Sequence, residues 1–199
     1  LTRSSAASDV YKRQEYVVFA EQLANYSRAM LLIASKKAPK ITIKDDSSYV
    51  TETDKAVEQK LREEIQNKFP DHGIIGEEFK DVNRNSDFVW ILDPIDGTAA
   101  FVAGIPVYGT LIALAWKGMP FIGVIDHPLT DDRWVGVSNR ISFMNGAPIT
   151  TRSCKDMKKA YVTCSNPDFM SKNQFMQFEK LRDRVASVSY THLTLPTIE

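Results

Sequence analysis

The stretch Trp90-Ile91-Leu92-Asp93-Pro94-Ile95-Asp96-Gly97-Thr98 decides the fold, because the remaining elements can be placed around it. The apolar run Phe88–Leu92 predicts a buried strand. Pro94 has a fixed φ angle and no N–H to donate, so we expect the strand to end there. Gly97 permits a tight turn, and Thr98 can cap a helix that begins just after it. A strand, a turn and a helix start are therefore predicted in close succession.

Asp93 and Asp96 bring two carboxylates to the end of this strand. Hard cations such as Mg²⁺ take oxygen ligands, and the N–H groups at a helix start bind anions. The segment therefore suits a site that holds a metal ion and a phosphate group together. An ordinary turn is the alternative, because Asp and Gly also occur in turns for local reasons.

Two further acidic segments favour the site over the turn. Glu77 and Glu78 follow the apolar pair Ile74-Ile75, so they also stand at a predicted strand end. Asp54 stands at the predicted start of a helix, where an acid is favoured by the helix dipole or serves a function. The order of the three segments along the chain favours function for all of them.

In this order, the three acidic segments resemble the inositol monophosphatase family of magnesium-dependent sugar-phosphate phosphatases. The run Asp93–Thr98 is a complete match to the family's most specific motif, and the resemblance covers roughly residues 15–185. It implies an α/β fold built as an α/β/α/β/α sandwich of the sugar-phosphatase type, with the active site between the sheets. It also implies that the C-terminal part of that fold is missing from this chain.

The domain organisation follows from the resemblance and from the two ends of the chain. Residues 15–187 are expected to form the N-terminal portion of an inositol-monophosphatase-like domain. Residues 1–14 and 188–199 resemble translated cloning adapters, so we expect both to be non-native flanks. Genuine flexible termini are the alternative.

Hydrophobic periodicity within the domain predicts helices and short strands, mixed as in a layered α/β fold. Helices are expected at 15–37, from Thr53 or Asp54 to Phe69, and from Asn166 to about Val185 with Phe175, Phe178 and Leu181 buried. Strands are expected at 41–43, 74–75, 110–116 with 121–126, 133–137 with 141–143, and 160–164.

The resemblance implies a role for each acidic residue of the motif segments. Glu77 and Asp93, with the carbonyl oxygen of Ile95, would bind a first Mg²⁺. Asp93 would bridge to a second ion that Asp96 also binds, and two or three Mg²⁺ ions are implied for an intact site. Mg²⁺ keeps part of its water shell, so few protein ligands per ion suffice. Glu77 would in addition help to activate the attacking water.

The remaining implied roles concern water and substrate. Asp54 and Thr98 would orient and deprotonate the attacking water. The N–H groups of Gly97 and Thr98 would hold the substrate phosphate, and Asp96 would also contact the substrate. Lys44 would lie near the phosphate; the alternative for Lys44 is a solvated surface lysine.

Composition argues against several other classes of protein. The 199-residue chain has a formal net charge of +0, which gives no sign of an electrostatic nucleic-acid binder. No apolar run reaches the roughly 18 residues of a membrane helix, and no glycine-rich nucleotide-binding loop is present. Cys154 and Cys164 lack metal-binding spacing, so a reducing, cytoplasmic setting is expected. The expected partners are a small phosphorylated substrate and, from the resemblance, a second copy in a homodimer.

The segments after the motif bear on the choice of substrate. Ala99-Ala100-Phe101 stands where inositol enzymes commonly carry Thr-Asn-Phe, and Gly123–Pro128 and Asp132–Gly136 resemble the histidinol-phosphatase branch. Histidinol phosphate, the last phosphate ester of histidine biosynthesis, is therefore the expected substrate, with inositol 1-monophosphate as the alternative. A catalytically inert metal-binding fragment is the alternative from another functional class.

A late Trp-Asp motif supplies one more metal ligand in the family. The three tryptophans here, Trp90, Trp116 and Trp134, are followed by other residues. The second ion would then be held weakly, and the leaving oxygen would lose its Lewis acid. We therefore expect at most trace phosphatase activity from the 199-residue chain, unless another acid such as Asp126 replaces the missing ligand.

Overall fold

The computed structural model describes residues 3–38, 40–43, 49–164 and 170–190. The chain divides into two compact units, Leu1–Thr150 and Thr151–Glu199. The first unit contains α1 (Arg3–Ala34), β1 (Ile41–Ile43), β2 (Tyr49–Thr51), α2 (Glu52–Lys68), β3 (Gly73–Gly76), β4 (Phe88–Asp96), α3 (Thr98–Ala103), β5 (Gly109–Trp116), β6 (Met119–His127), β7 (Asp132–Val137), β8 (Ser142–Met144) and β9 (Ala147–Ile149). The second unit contains a short 3₁₀ helix (Met157–Lys159), β10 (Tyr161–Cys164), α4 (Lys172–Arg182) and β11 (Ser187–Tyr190).

Seven strands of the first unit form one mixed sheet in the order β3-β4-β5-β6-β7-β8-β9. β3 and β4 are parallel, whereas every other neighbouring pair in this sheet is antiparallel. A parallel pair needs a crossover, and here the segment 77–87, which begins with Glu77, provides it. β1 and β2 form a separate antiparallel pair. The architecture is mixed α/β, as the sequence predicts.

Helices α1 and α2 pack against this sheet, α1 on β5 and β6 and α2 on β4. Trp90 and Leu92 of β4 are buried in the core, whereas Ile91 between them is 37% exposed. This alternation is what a strand with one covered face produces. The core also contains Leu23, Leu31, Leu61, Ile65, Ile112, Leu114 and Val124.

His72 belongs to an aromatic cluster at the edge of this core. Its ring stacks between Phe69 and Phe88, with ring centroids 4.7 Å and 5.0 Å away. Trp90 Nε1–H donates a hydrogen bond to His72 Nδ1 at 3.1 Å. Burial lowers the pKa of His72, which favours the neutral imidazole that accepts this bond.

The second unit consists of a parallel β10–β11 pair and the helix between them. A capping box of Ser171 and Gln174 begins α4, so the helix starts at Lys172. We expected it to start at Asn166, which lies outside the described residues. Val188, Ser189 and Tyr190, which we expected in a non-native flank, pair with β10.

The boundaries and burial of two helices differ from expectation. Helix α1 begins at Arg3 and not at Glu15, because a helix, once formed, extends at little cost even without an apolar stripe. Phe178 of α4 is buried, but Phe175 and Leu181 are exposed, so the predicted buried face is wrong at those two positions. In the part of the chain that the structure describes, no helix combines the length and apolar character needed to cross a membrane.

Candidate active site

β4 carries one extra residue opposite β5 in the segment that joins the two motif acids. Asp93 pairs with Leu111 and Asp96 with Gly109, so three steps along β4 match two along β5. Such a β-bulge lets a strand pass through a proline, and β4 runs to Asp96. The prediction that the strand ends at Pro94 is therefore wrong. Residues two apart on a strand share a face, and the partners of the two acids, Leu111 and Gly109, are two apart on β5. The bulge therefore brings both acids to the same side of the sheet.

A buried pair of hydroxyl groups supports this bulge. Thr110 Oγ1 donates to the carbonyl oxygen of Pro94 at 2.8 Å and also contacts Ser27 Oγ of α1. Both Ser27 and Thr110 are fully buried. A buried carbonyl group without a partner is costly, so Thr110 stabilises the irregular backbone between the two motif acids.

The turn after β4 brings Thr98 to the start of α2. Gly97 adopts a φ of 85°, in the left-handed region that favours glycine, and occupies the N-cap position of α3. Helix α3 thus begins at Thr98, and Thr98 is not its cap, contrary to expectation. Thr98 Oγ1 lies 3.0 Å from the carbonyl oxygen of Ile95 and 3.4 Å from Asp54 Oδ1, and it can donate to either.

Asp54 uses one oxygen to begin α2 and turns the other toward Thr98. Its Oδ2 accepts the Thr51 N–H at 2.8 Å and the Thr51 hydroxyl at 2.5 Å, while Thr51 Oγ1 accepts the Asp54 N–H. This arrangement is a capping box. Burial raises the pKa of Asp54; the hydrogen bonds oppose the rise and the charge of Glu77 adds to it. A helix-start acid and a functional acid are therefore compatible interpretations.

Asp93 lies at the centre of a cluster of carboxylates. The pKa of Asp93 is raised to about 7, mainly by burial. The charges of Glu77 and Asp96, a hydrogen bond with Glu77 and the charge of Asp54 contribute the rest. Asp93 Oδ1 is buried and has no hydrogen-bond partner within the described residues. Four acids from α2, β4 and the β3–β4 crossover therefore interact through their charges.

This cluster fits a divalent cation in charge and in donor type. A buried carboxylate oxygen without a partner, next to other acids, is a costly arrangement that a cation would relieve. All the donors are hard oxygens, which suit Mg²⁺. Among the side chains that the structure describes, no three Asp, Glu, His or Cys groups already converge as a metal site.

A model of the inositol monophosphatase family matches residues 12–195. The chain belongs to this family. The bifunctional phosphatase IMPL2 of Arabidopsis thaliana, a chloroplastic protein, is 38% identical over 172 residues, which are 85% of this chain and 50% of that relative. The histidinol-phosphatase of Chlorobaculum parvum is 33% identical over 135 residues, 68% of this chain and 52% of that relative. The chain thus spans about half the length of the curated relatives it matches.

A solved structure of an inositol monophosphatase from Zymomonas mobilis resembles this chain closely. The TM-score is 0.78 at 33% sequence identity, and the match covers 89% of this chain and 68% of that one. This likeness confirms the predicted α/β fold of the inositol monophosphatase type.

The structure brings most of the predicted site residues together. The clustered acids are Asp54, Glu77, Asp93 and Asp96. Thr98 lies beside Asp54 and the Ile95 carbonyl group, and Gly97 forms the turn before it. Lys44 lies outside the described residues. Which of these groups bind metal, activate water or contact substrate stays a prediction.

Sequence reasoning missed Glu58 and Arg62, two buried charged residues of α2. Each directly follows a residue of the helix's apolar stripe, Val57 or Leu61, so each borders the buried face. Opposite charges four residues apart on a helix were the available signal. Such pairs usually lie in solvent, and the sequence gives no sign of the backbone segment that covers this one.

Asp126, which the sequence analysis considered as a possible metal ligand, belongs to a cluster of ion pairs. Its Oδ1 accepts hydrogen bonds from Arg28 Nη2 at 2.8 Å and from Arg133 Nε at 2.6 Å, and its Oδ2 accepts one from Arg28 Nε at 3.0 Å. Asp126 is 1% exposed. Both carboxylate oxygens of Asp126 therefore have cationic partners.

Proposed function

We propose that the protein is a magnesium-dependent phosphate monoester hydrolase that acts on histidinol phosphate. One observation carries the proposal: a buried Asp93 oxygen without a hydrogen-bond partner lies within a cluster of acids beside a threonine hydroxyl group. An arrangement that costs stability in the free protein is expected where a ligand later supplies the missing charge. Membership in a family of phosphatases makes a phosphate ester the substrate class to test first.

The residues proposed to hold Mg²⁺ are Glu77, Asp93, Asp96 and the carbonyl oxygen of Ile95. Asp93 would help to hold the ions on both sides of it, since it interacts with both Glu77 and Asp96. When bound, Mg²⁺ supplies a Lewis acid for the phosphoryl oxygens and lowers the pKa of the attacking water. Deprotonated carboxylates are the binding form, so cation binding and loss of the Asp93 proton are linked.

Asp54 and Thr98 are proposed to prepare the attacking water. Thr98 Oγ1 has one proton, which it can give to Asp54 Oδ1 or to the Ile95 carbonyl group. When the hydroxyl group donates to Asp54, its lone pairs are available to accept a hydrogen bond from the water and orient it. If the water gives its proton to Thr98 Oγ1, the hydroxyl proton passes to Asp54 Oδ1, which becomes the final proton acceptor. The second Asp54 oxygen is held by Thr51, so the carboxylate has one orientation. Glu77 is proposed to share in this activation.

The substrate phosphate is proposed to bind at the turn after β4. The left-handed conformation of Gly97 turns the backbone sharply before α3. The N–H groups of Gly97 and Thr98 are proposed to donate to the phosphate oxygens, with Asp96 beside the substrate. Lys44 is proposed to contribute positive charge to the same anion.

The names of the relatives support two candidate substrates, histidinol phosphate and inositol monophosphate, and we favour histidinol phosphate. The Chlorobaculum parvum relative is a histidinol-phosphatase, and the Zymomonas mobilis structure is of an inositol monophosphatase. Identity to each is 33%, so identity alone does not choose between them. The Ala99-Ala100 pair after the motif favours histidinol phosphate, because inositol enzymes commonly carry Thr-Asn there. Inositol 1-monophosphate is the second candidate.

Two measurements test the proposal. Calorimetric titration of the 199-residue chain with Mn²⁺, as a probe for Mg²⁺, is expected to show binding that Glu77→Gln or Asp93→Asn weakens at least tenfold. Phosphate release is followed on a version extended with the C-terminal region of a family member, because only trace turnover is expected without it. Release should require Mg²⁺, with a higher kcat/KM for histidinol phosphate than for inositol 1-monophosphate.

The outcomes separate the alternatives. Metal binding without release from either ester by the extended version would support the inert metal-binding protein. A higher kcat/KM for inositol 1-monophosphate would overturn the choice of substrate but not the reaction. No effect of either substitution on Mn²⁺ binding would refute the proposed site.

A further inference from the structure

Glu58 and Arg62 of α2 form an ion pair in the interior of the first unit. Arg62 Nε donates to Glu58 Oε1 at 2.7 Å. Glu58 is 0% exposed and Arg62 is 5% exposed. Burying two charges is expensive, and a pair of this kind is retained where its remaining donors and acceptors are also satisfied.

The remaining donors and acceptors of this pair bind the backbone of the β3–β4 crossover. Glu58 Oε2 accepts the N–H of Glu78 at 2.7 Å, and Oε1 accepts the N–H of Phe79 at 3.3 Å. The guanidinium group of Arg62 donates to the carbonyl oxygens of Phe79 and Lys80, each at 3.1 Å. The carboxylate thus binds donors of the crossover and the guanidinium group binds its acceptors.

Gly76 brings the end of β3 against the same pair. A Cβ atom at this position would overlap the Glu58 carboxylate and lie 2.7 Å from Arg62 Nη2. A side chain at this position would therefore have to displace the Glu58–Arg62 ion pair. The backbone is held by packing at Gly76 and by hydrogen bonds from Glu78 onward, which leaves Glu77 as the one residue between two fixed points.

The same helix also carries Asp54, one turn before Glu58. The charge of Glu77 raises the pKa of Asp54, and Glu77 forms a hydrogen bond with Asp93. A rotation of Glu77 would change its distances to both acids. Since α2 holds Asp54 directly and the crossover through Glu58 and Arg62, one rigid element fixes two acids of the cluster.

We infer that Glu58 and Arg62 are positioning residues that set the orientation of Glu77 for cation binding. The inference deepens the proposed function and rests on its metal site. Neither side chain contacts the substrate or the reacting atoms in this account; both act through the crossover backbone. Partners that orient a metal ligand typically change metal affinity by about 10- to 100-fold when they are removed.

The test uses two matched pairs of variants in the 199-residue chain. Glu58→Gln is compared with Asp126→Asn, because each neutralises a buried carboxylate that is paired with arginine. Arg62→Lys is compared with Arg133→Lys, because each keeps the charge but loses the planar fork. The Asp126 cluster binds no residue of the crossover in the described structure, so its variants report general destabilisation.

Two readouts do not depend on turnover. We expect Glu58→Gln to weaken Mn²⁺ binding about tenfold, and Arg62→Lys about threefold, whereas both control variants stay within twofold of wild type. In metal-free protein, hydrogen exchange at the amides of Glu78 and Phe79 should quicken selectively in Glu58→Gln. Circular dichroism establishes that each variant is folded; if Glu58→Gln does not fold, Arg62→Lys decides.

The result that would overturn the inference is Mn²⁺ affinity within twofold of wild type in folded Glu58→Gln and Arg62→Lys, or an equal loss in the control variants. The proposed function fails separately. If wild type does not bind Mn²⁺, or Glu77→Gln leaves binding unchanged, the metal site itself is wrong and the inference falls with it.

Discussion

Asp93 of β4 and Asp126 of β6 are acids in the same sheet with opposite surroundings. Asp126 has two arginine partners, and both of its oxygens accept hydrogen bonds from them. Asp93 has other acids as neighbours and one buried oxygen without a partner in the described structure. The fold therefore neutralises one acid internally and leaves the other to be neutralised from outside. Local stability sacrificed in this way is typical of functional sites.

Among the substitutions that test this comparison, we expect the largest change in the free energy of unfolding at Asp126. Asp126→Asn leaves Arg28 and Arg133 without their shared carboxylate, and breaking a buried ion pair costs about 3 kcal/mol of the free energy of unfolding. Urea titrations at pH 7 in EDTA measure the loss. A change below about 1 kcal/mol would show that the cluster contributes little and would weaken the contrast with Asp93.

Thr110→Val tests the support of the bulge without changing any charge. The substitution keeps the shape of the side chain but leaves the Pro94 carbonyl group and Ser27 Oγ without their partner. We expect the free energy of unfolding to fall by about 2 kcal/mol and Mn²⁺ binding to weaken. Thr163→Val in β10 serves as a control, since that residue lies in the other unit. Unchanged Mn²⁺ affinity would show that the bulge holds its shape without Thr110.

In metal-free protein, Asp93→Asn should raise the free energy of unfolding, whereas Asp126→Asn should lower it. The carboxamide can still donate to Glu77, and it removes one charge from the cluster, so we expect a gain of about 1 kcal/mol at pH 8. Mg²⁺ should raise the Tm of wild type but not of the variant. Destabilisation by Asp93→Asn in EDTA would contradict the account of a strained acid cluster.

The pH dependence of Asp93 follows from its raised pKa. The folded state holds a proton up to about pH 7, whereas the unfolded carboxyl group releases it near its ordinary value of 3.8. The free energy of unfolding should therefore fall as pH rises from about 4 to 7 in EDTA, and Asp93→Asn should remove much of this slope. Equal slopes in the two proteins would contradict the raised pKa.

His72 should give the smallest effect, with the opposite slope. Its folded pKa is lowered, so its contribution is complete above the ordinary value of 6.5 and is lost as pH falls below it. In an Asp93→Asn background, His72→Phe should flatten the remaining slope between about pH 5 and 6.5, a change of less than about 1 kcal/mol. If His72→Phe leaves the pH dependence of the free energy of unfolding unchanged, that dependence arises from other groups.

The sequence predicted six of the seven strands of the sheet, all except β9, because their apolar runs and turns are local signals. The hairpin of β5 and β6 follows from two apolar runs with a turn between them. The turn before β9 follows from Asn145-Gly146. The end of β4 was predicted wrongly because a proline excludes regular hydrogen bonding between strands but still allows a β-bulge. Whether a bulge accommodates Pro94 depends on the register with β5, which no local pattern contains.

The sequence pointed to the acids that interact with Asp93, but not to the residues that surround them. The motif from Asp93 to Thr98, together with the acidic segments at Asp54 and Glu77, points to a site from local patterns. The burial of Glu58 and Arg62 depends on Phe79 and Lys80, which approach from a different part of the chain. A helix pattern predicts a solvated ion pair at those positions, because the pattern describes one helix and not its neighbour.

The bulge makes the number of residues in β4, and not only their type, a requirement. In a regular strand, two residues separated by an odd number of steps point to opposite sides. The unmatched residue between Asp93 and Asp96 turns this odd separation into an even one. Removal of a single residue here would direct one acid toward Trp90 and Leu92, where a carboxylate has no water. A single insertion or deletion between Asp93 and Asp96 would therefore separate the two acids even if every side chain around them were kept.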